Sequence, residues 1–437
     1  MSQFRFARIS LILAAIGLNA APAMLGMTAV QAAEKAAPAP EAPKPDTVRP
    51  EMYKLIDPTQ MKDLLAAKNY TEAMSRVDQA AALPNLTPFE QFALNQTRVQ
   101  IGSASSNNAL LLPALEAMID SGRLSARDKL SFVEAIGNIY YSAKDFDKAI
   151  TWINRYQTES GDLVKMRPQL LRSYFFKNDY ATVKTEVLKD VAAAEKAGTA
   201  PSSDTLALLG NVGIKSKDNA LYLQAVEYLV KYYPTEAYWF DLLNRTRGKP
   251  NYNQRFDLDV LRMKQVVVPG RMEADDYSDL AELALLGGFY TEAKNALDKG
   301  FAGGQMGVGP DAAKHKKMRD QANKGAADDA KNIGSGEASA AKSKDGVGLV
   351  NLGYAYVTMG QFDHGLELMN KGIAKGVLKN PEDAKLRLGY AYAMAGRKDE
   401  ALKTLETVTG NDGRGDLARY WIMWTKNPVA PAATAAK

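Results

Sequence analysis

Along most of the chain, apolar residues return every three or four positions, which is the period of an α-helix with one buried face. The pattern runs from residue 58 to residue 425 and is interrupted at short intervals by Gly, Asn, Asp or Pro. Short interruptions of this kind join antiparallel helices rather than strands. The sequence therefore predicts an all-α protein built from successive helix pairs.

The predicted helix pairs also repeat in sequence. The stretch AIGNIYYSAKDFDKAITWINRY contains Gly137, whose counterpart in the next unit is Leu171, 34 residues later. Near the C-terminus, NLGYAYVTMGQFDHGLELMNKG and RLGYAYAMAGRKDEALKTLE place Gly353 and Gly389 36 residues apart. LAELALLGGFYTEAKNALDKG fits the same frame, and weaker copies are AAKNYTEAMSRVDQA and ALYLQAVEYLVKYYP. A repeat of this length indicates stacked units that bury their apolar faces only against neighbours.

These offsets resemble the tetratricopeptide repeat (TPR), in which Leu-Gly, Tyr, Ala and Phe recur in a unit of about 34 residues. The resemblance implies a right-handed α-solenoid of antiparallel helix pairs (TPR-like), with several degenerate repeats. The stretches GYAYVTMGQFDHGLELMNKGIAKG and YYSAKDFDKAITWINRY are also similar to exported, periplasmic TPR-repeat proteins of Gram-negative bacteria. That similarity implies a place in the bacterial envelope.

Small residues and tyrosines in the last repeats predict how the helices pack. Gly353, Gly389 and Ala401 are expected where two helices of a pair cross closely, because a larger side chain would hold them apart. Tyr356 and Tyr392 are expected to fill the space between one pair and the next.

Two groups of aromatic residues are expected to close or join parts of the stack. Trp421 and Trp424 predict an amphipathic final helix that caps the open end of the solenoid. Five further aromatic residues are expected to pack a junction between two groups of repeats: Tyr232, Tyr233, Tyr238, Trp239 and Phe240.

The N-terminus has the pattern of an export signal. Arg5 and Arg8 precede a short apolar core at residues 9–18, and small residues then lead to Ala32. Cleavage is expected after Ala32, with Ala33 as the second choice. An uncleaved membrane anchor is the alternative, but the apolar run is much shorter than the roughly 20 residues of a spanning helix.

These features predict six segments. They are a signal peptide at 1–32, an Ala/Pro-rich disordered linker at 33–57, TPR-like repeats at 58–302, a degenerate segment at 303–345, a C-terminal TPR pair with a capping helix at 346–426, and a disordered tail at 427–437.

The degenerate segment is poor in large apolar residues. It has room for one repeat in phase with its neighbours, which would set Met318 near the position of Gly353 and Ala330 at the small position of a second helix. The alternative is a mobile, charged insertion, since such segments bury little. The expectation is a loosely packed helical pair.

Composition argues against several kinds of chemistry. The chain has 55 basic and 50 acidic residues, and removing Arg5 and Arg8 leaves a charge of +3, too balanced for a nucleic-acid partner. There is no cysteine, and His315 and His364 are expected to be solvated rather than metal ligands. GGQMGVG lacks the lysine and preceding strand of a phosphate loop, and no G-x-S-x-G elbow is present. We therefore expect neither an enzyme nor a cofactor, although an unrecognised site with a buried carboxylate pair would restore the enzyme hypothesis.

Binding residues are expected on the first helix of each pair, which lines the concave groove in TPR solenoids. Asn351 and Arg387 occupy equivalent positions in successive repeats, and Tyr354 and Tyr390 follow on the same face. Some TPR proteins clamp a peptide's C-terminal carboxylate with Lys, Asn and Arg, so the resemblance implies a partial clamp here. Asp383 stands where the lysine is expected, which argues against a complete one.

Two further sets of residues extend this prediction. If the degenerate segment is in phase, His315 and Arg319 would occupy the remaining clamp positions. A second, weaker groove would use Asn138 and Arg172, together with Gln169.

The leading hypothesis is a periplasmic scaffold or adaptor that binds a protein or peptide partner, an envelope component, through its concave face. The alternative is a structural or assembly factor of an envelope complex that acts by self-association. No transmembrane segment is expected in the mature chain, and the sequence leaves the oligomeric state open.

Overall fold

The computed structural model describes residues 46–429, and within that range it consists of helices and turns without a strand. The predicted all-α class is therefore confirmed. The chain divides between Val183 and Lys184 into two compact units, called unit 1 and unit 2 below. The predicted signal peptide, most of the linker and the end of the tail lie outside the described residues.

Unit 1 contains eight described helices. They are α1 (Pro50–Leu55), α2 (Pro58–Ala66), α3 (Tyr70–Ala81), α4 (Pro88–Ala104), α5 (Asn108–Asp120), α6 (Ala126–Ser142), α7 (Phe146–Ser160) and α8 (Arg167–Phe176). Helix α9 (Tyr180–Lys196) begins in unit 1 and ends in unit 2.

The described part of unit 2 contains the remaining helices and three 3-10 turns. The helices are α10 (Ser203–Lys215), α11 (Asn219–Tyr232), α12 (Glu236–Thr246), α13 (Asp257–Val267), α14 (Ala274–Leu286), α15 (Tyr290–Ala302), α16 (Ala312–Asn332), α17 (Glu337–Lys342), α18 (Val347–Thr358), α19 (Phe362–Ala374), α20 (Pro381–Met394), α21 (Lys398–Leu405) and α22 (Arg414–Lys426). The 3-10 turns are Gln254–Phe256, Pro269–Arg271 and Ile333–Gly336.

Helices that follow each other across a short turn pack most extensively, as the repeat pattern predicts. These pairs are α4 with α5, α6 with α7, α10 with α11, α14 with α15, α18 with α19, and α20 with α21. The predicted architecture of successive helix pairs is thus confirmed.

The turns within the helix pairs share one local backbone arrangement. A residue in the left-handed region ends the first helix, such as Lys144 at φ +62° or Gly360 at φ +80°. In several turns the next residue is Asp or Asn, which caps the second helix: Asp145 accepts the backbone N–H of Lys148 at 3.2 Å. The cap satisfies one of the backbone donors that a helix start leaves without an intrahelical partner, so the chain reverses within a few residues.

Close crossings occur where the sequence predicts them. A Cβ atom added to Gly353 would lie 2.5 Å from the carbonyl oxygen of Gly365, and one added to Gly389 would lie 2.5 Å from the Leu405 side chain. Ala401 is completely buried. The backbones of α18 and α19 therefore approach each other so closely that only glycine fits.

The two tyrosines predicted to separate successive pairs do so. Tyr392 is buried on α20, and its hydroxyl accepts a hydrogen bond of 2.7 Å from Asn370 of α19. Tyr356 of α18 packs with Ile333 in the segment that precedes its own pair.

Helical structure begins before the predicted boundary at residue 58, so the predicted linker ends too late. Met52 and Ile56 are buried in the core that α3 and α4 share, which gives α1 a reason to form. Arg49 holds the start of this helix through three hydrogen bonds of 2.7 to 3.1 Å to the carboxylate of Glu90. The Ala/Pro-rich composition favoured a disordered linker, so the anchoring role of Arg49, Met52 and Ile56 was not predicted from the sequence.

The degenerate segment forms neither the expected helical pair nor an unstructured insertion. Its main element is one continuous helix, α16, of 21 residues. Met318 and Ala322 are buried against the preceding repeat, whereas Ala330 is exposed on the same helix and is not the small residue of a second one. Buried alanines let α16 pack although large apolar residues are scarce.

The final helix, α22, packs on both helices of the last pair, as expected of a terminal helix, and it also contacts earlier helices of unit 2. The Tyr420 ring on α22 meets Trp239 of α12, with ring centroids 6.2 Å apart. The backbone N–H of Asn253 donates to the carbonyl of Asp412 at 2.9 Å. Trp421 and Tyr420 are fully buried because α22 presents apolar residues to more than one neighbour. Of the predicted junction cluster, Trp239 is the member at the centre of this contact.

Among the described residues, no helix combines the length and the apolar character needed to cross a bilayer.

We predict that Gly353→Ala destabilises the protein by about 1–3 kcal/mol, because the new methyl group forces α18 and α19 apart. Urea unfolding followed by circular dichroism measures the change. Gly210→Ala is the matched control, since its Cβ would have no neighbour closer than 3.7 Å. Ordinary helix propensity should make that variant slightly more stable. Equal effects of the two substitutions would contradict the close crossing.

We predict a second, pH-dependent effect at Glu90. Hydrogen bonds from Arg49 lower the pKa of the Glu90 carboxyl to about 2. A depressed pKa contributes stability above the unfolded value near pH 4, and this contribution is lost as pH falls toward about 2. Glu90→Gln should lose about 1–2 kcal/mol at neutral pH.

Urea titrations of both proteins between about pH 7 and about pH 3 test this. The stability gap between wild type and Glu90→Gln should narrow on acidification. If the stability difference between the two proteins stays constant with pH, the pKa of Glu90 is not lowered by folding and the prediction is wrong.

Candidate partner-binding site

The inner face predicted to bind a peptide is occupied by the protein's own helix α13. Tyr354 and Tyr390, predicted to contact a partner, are completely buried. Arg262 of α13 donates a hydrogen bond of 2.8 Å to the Tyr390 hydroxyl. The Tyr354 hydroxyl donates to Glu292 at 3.0 Å. The prediction that these tyrosines lie on an open groove is therefore wrong.

Arg262 is the centre of this filled face. Its guanidinium makes two hydrogen bonds of 2.7 Å to the Glu292 carboxylate and one of 2.8 Å to Asp259. It also lies 4.7 Å from the centroid of the Tyr354 ring. All of these groups are well shielded from water, so their charges interact strongly.

The electrostatics of the cluster follow from this burial. Burial is the largest single influence and lowers the pKa of the Arg262 guanidinium, but the charge and hydrogen bonds of Glu292 together with Tyr354 and Tyr390 outweigh it and leave the pKa well above its usual value. Burial is also the main cause that raises the pKa of Tyr354 and Tyr390. Both hydroxyls therefore remain protonated and able to donate to the carboxylates.

An aromatic row runs past Arg262 from the middle repeats to the last helix. Phe289 meets Tyr354 at 5.0 Å between ring centroids, Tyr354 meets Tyr390 at 5.6 Å, and Tyr390 stacks on Trp421 at 5.3 Å. This row joins α18, α20 and α22 into one core and explains why the tyrosines face inward.

At the rim of this core, Arg387 and Asn351 lie together as their spacing predicts. Arg387 Nη1 donates to Asn351 Oδ1 at 2.9 Å. The guanidinium also lies over two rings, 5.4 Å from the centroid of Phe289 and 5.6 Å from that of Tyr354. Asn351 is exposed and Arg387 half-buried, so this pair remains accessible from solvent.

Arg387 differs from its neighbours in having no acidic partner within ion-pair distance among the described residues. Arg255 and Arg414 both pair with Asp383, at 3.1 and 2.8 Å. Asp383, the residue that replaces the expected lysine, is therefore engaged elsewhere. The Nε atom of Arg387 is buried without a hydrogen-bond partner. A cation held by a neutral amide and aromatic faces is suited to receive an anion from outside.

The other predicted clamp residues do not join this pair. His315 is buried, and its Nδ1 accepts the backbone N–H of Gly307 at 3.2 Å, so the expectation of a solvated side chain is wrong. Arg319 pairs with Asp298 at 2.7 Å.

His364 pairs with a single carboxylate, and its side chain is 42% exposed. Its Nε2 lies 3.0 Å from Glu337 Oε1, and the adjacent Asp363 is fully exposed. Within the described residues, no group of three or more His, Asp or Glu side chains is arranged to hold a metal ion.

In unit 1, the residues of the second predicted groove lie on α6 and α8. Asn138 on α6 is half-buried and Arg172 on α8 is exposed. Gln169 is half-buried on the same helix.

Unit 1 instead presents a surface that sequence reasoning missed. Five partly exposed aromatic side chains from two successive repeats contact one another in a row, called the aromatic strip below: Tyr141, Phe146, Phe176, Phe175 and Tyr180. The signal was present in the equivalent turns YYSAKDF and YFFKNDY, 34 residues apart.

Comparison with known proteins gives no family assignment. No family model matches the chain, and no curated protein matches it.

Several solved structures of TPR proteins show a distant likeness. The TPR2AB domain of yeast Sti1 in complex with pHSP90 is 15% identical, covers 68% of this chain and 98% of its own, and has a TM-score of 0.24. The TPR domain of P58(IPK) is 11% identical, with 86% and 98% covered and a TM-score of 0.20. Yeast Tom70 is 10% identical, with 86% and 95% covered and a TM-score of 0.18. TM-scores this low align no site residues, so the TPR-like character of the fold is supported by the chain's own helix pairs.

We predict that Arg262→Met destabilises the protein by about 3–5 kcal/mol, because it leaves buried carboxylates without a counter-charge. Arg255→Met is the matched control. The Arg255 side chain is 38% exposed, so the loss of its ion pairs should change stability by about 1 kcal/mol or less.

Thermal and urea unfolding of both variants measure the difference. Adding Glu292→Gln to Arg262→Met should recover part of the lost free energy of unfolding, because the neutral amide removes one buried carboxylate that has lost its cation. Equal destabilisation by the two arginine substitutions would contradict the central role of Arg262.

Proposed function

We propose that this chain is a protein-interaction scaffold or adaptor, and that Arg387 and Asn351 hold a carboxylate of its protein or peptide partner. The observation that carries the proposal is the unpaired Arg387 guanidinium, which Asn351 orients over Phe289 and Tyr354. A carboxylate could form paired hydrogen bonds with such a planar donor group.

The site is preorganised for binding. Aromatic rings and an amide already restrict the Arg387 side chain, so a partner loses less conformational entropy in ordering it. Arginine is also among the residues that contribute most to binding at protein interfaces. Because α13 fills the inner face, this proposal places the partner at the rim rather than inside a concave groove.

The proposal includes a location in the periplasm and an envelope component as the partner. Support for the location is the basic, apolar and small-residue order of residues 1–32. Support for a binding role rather than an enzymatic one is the state of the described histidines, which contact a backbone amide and a single carboxylate.

A second candidate function is assembly through self-association. The observation that favours it is Leu286, which is 80% exposed at the end of α14. Met394 is 41% exposed at the equivalent end of α20. Exposed apolar residues at equivalent positions are suited to contacts between copies.

We predict that Arg387→Glu weakens partner binding at least tenfold, because it replaces the anion-binding cation by a like charge. Mature protein from Ala33 serves as bait in a periplasmic extract, and mass spectrometry identifies the partner. Titration of the purified partner then gives the affinity of each variant.

Arg271→Glu is the control, because this substitution makes the same change in net charge. Arg271 is also an exposed arginine of unit 2 that lies over an aromatic ring, that of Phe240. Circular dichroism should show equal helical content in both variants. Unchanged affinity of Arg387→Glu would reject the rim site. Recovery of the bait alone, with a mass in solution above that of one chain, would favour self-association.

A further inference from the structure

Asp383 lies one helical turn before Arg387 on α20. Residues four apart on a helix are neighbours, and an acidic residue that precedes an arginine at this spacing can form a favourable ion pair with it. The other positions three or four residues from Arg387 are Ala384, Tyr390 and Ala391, which offer no carboxylate. Asp383 is therefore the acidic residue of α20 that is best placed to pair with Arg387.

In the structure, Asp383 pairs with two other arginines instead. Its Oδ2 accepts a hydrogen bond of 3.1 Å from Arg255 Nε, and its Oδ1 accepts one of 2.8 Å from Arg414 Nη1. Both carboxylate oxygens are thus occupied by guanidinium groups. The side chains of Asp383 and Arg414 are only 20% and 16% exposed, so water screens their attraction weakly.

The two arginines come from parts of unit 2 that are remote in sequence. Arg255 belongs to the 3-10 turn that precedes α13, and Arg414 is the first residue of α22. Asp412 links these parts, because Arg255 Nη2 donates to its Oδ2 at 2.6 Å and the backbone N–H of Asn253 donates to its carbonyl at 2.9 Å. Both arginines therefore reach Asp383 through the contact between the turn before α13 and the start of α22.

Removal of the two arginines would leave Asp383 as a poorly solvated carboxylate one turn from an unpaired cation. A shielded charge gains more from a nearby opposite charge than an exposed one does. A change of side-chain rotamer is enough to redirect an aspartate along its own helix. The freed Asp383 carboxylate would then occupy the same guanidinium that is free to receive a carboxylate from outside.

From this arrangement we infer that Asp383 is a built-in competitor for the carboxylate-binding site at Arg387, and that Arg255 and Arg414 keep this site open by holding Asp383 away. The inference rests on the proposed function of the rim site. Arg255, Arg414 and Asp383 are positioning residues, since they act through Arg387. The packing of α22 thereby regulates partner binding, because displacement of Arg414 weakens the hold on the competitor.

The availability of Arg387 can be measured in the full chain without a partner. Phenylglyoxal reacts with an unprotonated guanidine, so pairing with a carboxylate slows the reaction by favouring the protonated form. Mass spectrometry gives the reaction rate at Arg387 relative to that at Arg271, an exposed arginine that serves as the internal reference.

The double variant Arg255→Met with Arg414→Met should react about two- to fivefold more slowly at Arg387 than wild type. Adding Asp383→Asn should restore the wild-type rate, because the amide carries no charge. Circular dichroism establishes that the helices are retained. The single variant Arg255→Met removes a side chain that is 38% exposed, so it disturbs the fold little and should give a smaller change in the same direction.

Arg419→Met is the matched control. Arg419 is another arginine of α22, and it pairs with Glu227 and Asp416 rather than with Asp383. This variant should leave the reaction rate at Arg387 unchanged. Three results would overturn the inference: an unchanged rate in the double variant, a slow rate that persists after Asp383→Asn is added, or equal slowing by Arg419→Met.

Titration of the purified partner separates this inference from the proposed function. If the partner binds through Arg387, the double variant should lose affinity by about the same factor as it loses reactivity, and Asp383→Asn should restore both. If Arg387→Glu leaves partner binding unchanged, the proposed function fails. The reaction rates at Arg387 then still decide whether Asp383 competes for this guanidinium.

Discussion

The burial of Arg262 between two carboxylates and two tyrosines is the interaction on which unit 2 depends. It joins Asp259 of α13 to Tyr390 of α20, residues separated by 131 positions in the chain. In an open repeat solenoid each unit contacts only its neighbours, so stability is added repeat by repeat. Here a helix from outside the repeat frame lies against the inner faces of later repeats. The C-terminal helix α22 then packs against α11, α12 and α13, which makes the stability of these helices and of α22 interdependent.

A buried cation needs compensating groups, and two carboxylates and two tyrosine hydroxyls supply them around Arg262. Glu292 accepts from both Arg262 and Tyr354, while Asp259 accepts from Arg262 and Tyr390. Removing Arg262 leaves both shielded carboxylates without a cation, which is less favourable than an entirely apolar core. The same dependence gives α13 a defined position, because only one placement of the helix satisfies every donor and acceptor.

The features that could be predicted from the sequence are those that recur at the same position in successive repeats. Gly353 and Gly389 are close crossings because helix pairs recur with the same geometry, and equal spacing likewise brings Asn351 to Arg387. The filling of the inner face could not be predicted, since α13 belongs to a stretch without repeat spacing. An arginine within the apolar run DLDVLRMKQVVV was the available signal, because such a residue is either exposed or paired inside. Tyr354 was misplaced for the same reason: its neighbour in space is remote in sequence.

A filled inner face changes where a partner can bind. A peptide entering there would have to displace α13 and separate Arg262 from Glu292, exposing a large apolar core at the same time. The interactions it could form in return would only replace those already made, so the net gain would be small. At the rim the balance is different. Arg387 is already desolvated in part and has no carboxylate of its own, so an incoming carboxylate adds an interaction without breaking one. The closure of unit 2 thus disfavours the central groove and leaves the edge as the better place for recognition.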